Sequence, residues 1–127
     1  LLLFTNDGML AEKLTHPRNE IGKTYQIEVD QTIQSGHMKM MLEGVELEDG
    51  FAKVDDIEYA DNGTNKSGAV ITLHSGRNRI VRRIFEHFDY KVKKLDRIRF
   101  ATLDKKGLPR GQWRHLTTEE VGFLKTL

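Results

Sequence analysis

Lys23-Thr24-Tyr25-Gln26-Ile27-Glu28-Val29 alternates without a break. Lys23, Tyr25, Ile27 and Val29 fall on one face of an extended chain, and Thr24, Gln26 and Glu28 on the other. That period of two predicts a strand with one covered and one wet face. Such strands belong to antiparallel sheets rather than to doubly buried parallel ones. Upstream, Leu1–Phe4 reads as a buried strand. Thr5-Asn6-Asp7-Gly8 offers N-cap oxygens, and Met9–Leu14 fits a short helix closed before Pro17. Downstream, Gln34–Glu43 places Met38, Met41 and Leu42 at helical spacing and ends at Gly44. Phe51–Tyr59 and Ala69–His74 read as strands around the turn-rich Asp61-Asn62-Gly63-Thr64-Asn65. Lys94–Leu103 is extended, with Ile98 and Phe100 inward and Arg97 and Arg99 on the other face. Thr117-Thr118-Glu119-Glu120 is a capping box opening a terminal helix that buries Val121, Leu124 or Phe123. Strands and helices are interspersed, so the expected class is α+β with a largely antiparallel sheet.

Arg77–Phe88 is the strongest helical stretch. Ile80, Val81, Ile84, Phe85 and Phe88 cover an arc of roughly 140°, with Arg79, Arg82, Arg83 and Glu86 opposite. The net charge of +1 over 127 residues conceals a division. Gly76–His115 carries 13 Lys/Arg against 4 Asp/Glu, while the rest holds 7 basic and 15 acidic residues. Such asymmetry points to a polyanionic partner for the basic part, or to solvated faces tied by internal ion pairs. No apolar run approaches the ~20 residues of a membrane span. With no Cys, disulfides, thiolate metal sites and a cysteine nucleophile are excluded, which suits a reducing compartment such as the cytoplasm. The five His show no ligand spacing, so no metal is assigned.

Three segments carry chemistry. In Ser75-Gly76-Arg77-Asn78-Arg79-Ile80-Val81-Arg82-Arg83, a glycine at a strand end leads into a helix rich in forked donors suited to phosphate. An ordinary amphipathic helix with Arg on its polar side is the plain alternative. In Lys23-Thr24-Tyr25, an aromatic ring on a strand can stack on a base beside a positive charge, or simply fill core. Gly107-Leu108-Pro109-Arg110-Gly111-Gln112-Trp113-Arg114 is a tight connector in which Trp113 packs inward and Arg110 and Arg114 point out.

Together these segments resemble the pseudouridine synthases that modify ribosomal RNA, both the small-subunit enzyme and its large-subunit relatives. The matching pieces run nearly end to end. They are Leu1-Leu2-Leu3-Phe4-Thr5-Asn6-Asp7-Gly8, Leu14-Thr15-His16-Pro17, Lys23-Thr24-Tyr25 and Gly44-Val45-Glu46-Leu47-Glu48-Asp49-Gly50. Next come Gly76 to Phe85 and Leu95-Asp96-Arg97-Ile98-Arg99, then Leu108-Pro109-Arg110-Gly111-Gln112-Trp113-Arg114-His115-Leu116-Thr117. The last segment is closer to the large-subunit type. The resemblance implies a mostly antiparallel mixed sheet with helices packed on one side, and conversion of uridine to pseudouridine without a cofactor. It assigns Tyr25 to pack against the target uracil and Lys23 to support the site. Arg82 would pair with a nucleophilic aspartate and hold it ionised. Arg77, Asn78, Arg79, Arg83 and Arg110 would contact RNA, with the target nucleotide flipped from its stack.

The family's aspartate lies in a Gly-Arg-Leu-Asp segment a few residues before the position matched by Leu1. These 127 residues contain no such segment. Residues 1–127 are therefore expected to be a partial catalytic domain, lacking the nucleophile and the small N-terminal RNA-binding domain. The chain alone would be inactive, with Leu1–Phe4 an exposed edge prone to self-association. The rival readings are a non-catalytic RNA-binding module and a docking surface for an acidic protein.

Overall fold

In the computed structural model, residues 1–16, 21–77 and 79–127 are described. Pro17, expected to close the first helix, and Asn78, an expected RNA contact, lie outside them. The elements in chain order are α1 (Gly8–Thr15), β1 (Lys23–Val29), α2 (Ser35–Glu43), β2 (Val45–Leu47), β3 (Gly50–Ala52), β4 (Asp56–Ala60) and β5 (Asn65–Leu73). They continue with α3 (Ile80–His87), β6 (Val92–Phe100), β7 (Leu103–Asp104) and α4 (Thr118–Thr126). Five strands form one sheet in the order β4-β5-β1-β6-β7, and β2 and β3 form a separate hairpin. Every pairing among the described residues is antiparallel, in keeping with the α+β reading.

The alternation of β1 does what its period dictates. Ile27 and Val29 are buried in a core that also takes Ile57, Ile71 and Leu73 from the sheet. Met38 and Met41 of α2 and Ile80, Val81, Ile84 and Phe85 of α3 close that core. Gln26 and Glu28 lie on the uncovered face, with Lys94 and Asp96 their register partners. A second cluster joins Leu10 and Leu14 of α1 to Phe100, Leu103 and Leu124.

Four expectations need correction. Leu1–Phe4 is not a strand. Leu1 and Leu3 pack on the second cluster while Leu2 and Phe4 are exposed, and the Arg97 side chain takes the Leu1 carbonyl at 2.9 Å in place of a ladder partner. The strand-edge premise for self-association therefore falls. Phe51–Tyr59 is two strands, because the chain changes sheets at a buried Val54, whose N–H donates to Met41 O. The helix expected from Arg77 starts at Ile80, because Arg79 is left-handed at φ 52°. Arg77 and Arg79 thus precede the helix. Trp113, expected to pack, is 76% exposed.

The capping box of α4 forms as its sequence requires. Thr117 Oγ1 accepts from Glu120 N, and Glu120 Oε1 accepts from Thr117 N. Arg114 adds a two-pronged grip on Glu120, both bonds 2.9 Å. Hydrogen bonding from Arg114, then from the Thr117 backbone, holds the Glu120 carboxyl down at about 2 against an ordinary 4.5. A lowered carboxylate stabilises the fold above its ordinary pKa, and that contribution fades as pH falls towards about 2. Glu120→Gln should therefore lower the melting temperature at about pH 6, with the gap from wild type shrinking in melts taken progressively below about pH 4.

Candidate functional site

Central placement of β1 gathers the site. Its N-terminal half lies between the end of β5 and the C-terminal half of β6: Lys23 is opposite Leu73 and Phe100, and Tyr25 opposite Ile71 and Arg97. The pairing with β6 slips between Thr24 and Tyr25, from Arg99 to Arg97, leaving Ile98 as a bulge. A bulge re-aims side chains. Arg97 therefore shares a face with Tyr25, whereas simple alternation had grouped it with Arg99. Tyr25 is half-buried against the main core, so part of its side chain fills core and the rest stays accessible.

Lys23 reaches across to β5, where its Nζ donates to Ser75 O at 3.4 Å. A Cβ on Gly76 would lie 3.2 Å from that Nζ. Burial first, and then the charge of Arg97, pushes the Lys23 ammonium below its ordinary 10.5. Arg97 is packed over the Phe100 ring at 4.8 Å. The lead-in to α3 thus meets Lys23 at the end of β1 that also carries Tyr25 and its register partner Arg97.

The arginines of this lead-in separate into distinct environments. Arg82, on α3, is half-buried, and among the described residues no hydrogen bond or ion pair engages its side chain. Arg79 is exposed and carries the left-handed backbone that starts the helix. Arg77 and Arg83 both turn to Asp49 at the tip of the β2–β3 hairpin. Arg83 Nη1 donates to Asp49 Oδ1 at 2.8 Å, and Arg77 Nη2 lies 3.5 Å from the same oxygen. Arg77 Nη1 also donates to Phe51 O at 3.1 Å. The Arg83 hydrogen bond holds the Asp49 carboxyl below its usual range.

Arg110 is elsewhere. It lines a groove of about 370 Å³ on the uncovered sheet face with Gln26, Glu28, Asn65, Lys94 and Asp96. The structure thus gathers Lys23, Tyr25 and the lead-in to α3 and leaves Arg110 apart. Sequence reasoning missed Asp49, which precedes Arg77 by 28 residues with no periodic signal, and misplaced Arg97. Among the described residues, no group of three or more His, Cys, Asp or Glu could hold a metal, and no helix is long and apolar enough to cross a membrane.

The coupling of Lys23 to Arg97 has a measurable consequence. In Arg97→Met, the Lys23 pKa followed by NMR titration should rise towards 10.5 without reaching it, because burial, the larger cause, remains.

Comparison with known proteins locates this arrangement in a family. Residues 1–87 match the family model described as RNA pseudouridylate synthase. The ribosomal large subunit pseudouridine synthase B of Vibrio vulnificus is 38% identical over 129 residues, spanning 100% of this chain and 40% of that protein. Its namesake in Escherichia coli K12 is 37% identical over 128 residues, covering 100% and 44%. An uncharacterized RNA pseudouridine synthase of Aquifex aeolicus is 39% identical over 124 residues, covering 98% and 50%. A solved structure described as a pseudouridylate synthase superposes with a TM-score of 0.82 at 24% identity, over 94% of this chain and 52% of that one, and shares its fold. The chain spans half or less of the length of these relatives. With the match over residues 1–87, the identity along its whole length and the shared fold in agreement, the chain belongs to the RNA pseudouridylate synthase family.

Proposed function

We propose that residues 1–127 form most of the catalytic domain of an enzyme that isomerises a uridine to pseudouridine in ribosomal RNA of the large subunit. The observation that carries this reading is the contact of Lys23, which neighbours Tyr25 on the same face of β1, with the lead-in to α3, within a chain that matches large-subunit synthases along its whole length. Tyr25 packs against the uracil, and Lys23 adds positive charge at the same end of β1. Arg82 receives the nucleophilic carboxylate: the residue is half-buried, where an ion pair is screened less than on the open surface. Arg79 and the neighbouring arginines grip phosphate while the target nucleotide is flipped out. The reaction breaks the bond from ribose to the uracil nitrogen, rotates the base and rejoins it through carbon, with no cofactor.

The nucleophile in this reading comes from a Gly-Arg-Leu-Asp segment preceding Leu1. Arg97, the register partner of Tyr25, holds the Leu1 carbonyl. A segment leading into Leu1 would therefore run beside Tyr25. Asp7 is no substitute, because its Oδ1 caps α1 by accepting from Leu10 N at 3.1 Å.

Tritium release from 5-tritiated uridine in ribosomal RNA tests this reading. The 127-residue chain should release none. A longer polypeptide that carries the Gly-Arg-Leu-Asp segment should turn over, and Arg82→Ala in it should lower the rate by at least about a hundredfold, as removal of a transition-state partner does. Turnover by the 127 residues alone would refute the placement of the nucleophile. Near-wild-type rates for Arg82→Ala would refute the role of Arg82. If the upstream coding sequence opens with a start codon directly before Leu1, the chain is instead a non-catalytic RNA-binding module.

A further inference from the structure

Two arginines that the proposed function assigns to phosphate are already occupied by a carboxylate. Asp49 Oδ1 alone accepts from Arg83 at 2.8 Å and faces Arg77 Nη2 at 3.5 Å. Two forks converging on one oxygen is the geometry with which paired arginines clasp a phosphate oxygen. The Asp49 side chain remains 47% exposed, and each arginine 30%, so the cluster is open to solvent.

The grip is incomplete. The Arg77 contact exceeds a good N–H···O distance, and Arg77 Nε and Nη2 are buried without a hydrogen-bond partner among the described residues. A carboxylate held through one oxygen at a half-exposed site is a weak tie. A phosphate offers more acceptor oxygens and stronger charge-assisted bonds.

The hairpin does not depend on this tie for its place. Val45 and Ala52, its paired base, are buried in the main core, and the adjoining Val54 is buried and donates to Met41 O. A Cβ at Gly44, whose φ is +111°, would collide with the Phe51 ring, so that ring is seated directly on backbone. Asp49 lies beyond all of these anchors.

We propose that Asp49 is a placeholder for an RNA phosphate: in the free protein it holds the guanidinium groups of Arg77 and Arg83 converged, and a backbone phosphate of the RNA takes its place on binding. This rests on the RNA-binding reading above and adds to it the identity of the group displaced. Asp49 keeps the two cations from repelling each other apart before RNA arrives, at the expense of competing with the phosphate once it does. Binding exchanges one anion for another on the same two forks.

The test is binding of a fluorescein-labelled stem-loop RNA by anisotropy at about 0.1 M salt, with circular dichroism confirming the fold of each variant. Asp49→Asn removes the competing charge and keeps the shape. It should bind about three- to tenfold tighter than wild type, the size expected from loss of a half-exposed ion pair with two partners. Asp49→Glu should bind like wild type. The gain from Asp49→Asn should largely vanish when Arg83 is also changed to Gln, because the competition runs through that guanidinium. Equal or weaker binding by a folded Asp49→Asn would overturn the proposal and leave Asp49 as a structural tie. A second measurement needs no variant: on titration of RNA into wild type, the Asp49 carboxyl carbon should shift in NMR as it loses Arg83. An unmoved resonance at saturation would overturn the proposal while leaving RNA binding intact. Absence of binding by wild type and Asp49→Asn alike would instead remove the RNA reading itself, and the placeholder with it.

Discussion

β1 is hydrogen-bonded along both edges, and nearly everything else follows from that constraint. A strand paired on two sides cannot shift register without turning its apolar residues to water. Ile27 and Val29 have one admissible orientation, so Lys23 and Tyr25 are fixed in turn. The pairing draws in residues about fifty positions away on β5 and about seventy away on β6. Chemistry scattered along the chain, as Lys23, Ser75 and Arg97, becomes one neighbourhood at the end of a single strand.

Charge divides less sharply. Arg77, Arg82 and Arg83 gather around the start of α3, while the uncovered sheet face mixes Glu28, Asp96, Asp56 and Glu58 with Lys94 and Arg110. Internal pairing accounts for part of the basic excess: Asp49 ties Arg77 and Arg83, and Glu120 ties Arg114. Internal ion pairs thus describe Arg77, Arg83 and Arg114, one of the two readings of the charge asymmetry.

What was legible in the sequence was whatever depends on local period and caps. The boundaries of β1, the apolar arc of α3, the Asp7 and Thr117 caps and the Gly44 terminus all follow from short-range physics. Three features were hidden because they depend on partners distant in the chain. The slip at Ile98 depends on how β6 meets β1, so strict alternation misplaced Arg97. The break near Val54 depends on a core position that only tertiary packing supplies. Leu1–Phe4 keeps its alternating burial yet finds no strand to pair with, since a side chain rather than a backbone takes the Leu1 carbonyl. Of the site, Lys23 with Tyr25 and the lead-in to α3 could be named as segments from their residue types. Their meeting could not.

The β2–β3 hairpin has a mechanical character that follows from its length. Each arm has three residues, about 10 Å at the rise of a strand. Its root is clamped by buried Val45 and Ala52 and by the Phe51 ring lying on Gly44, while nearer the tip Leu47 packs against the edge of the core and Asp49 is held by the arginines. Apolar packing therefore thins along the hairpin, from two buried residues at the root to one half-buried residue beside the tip. With so short an arm, a few degrees of rotation at the root move Asp49 by less than about 1 Å, so its carboxylate leaves the arginines by turning its own side chain. Three residues per arm thus keep the tip, and the carboxylate it carries, fixed in register with the start of α3.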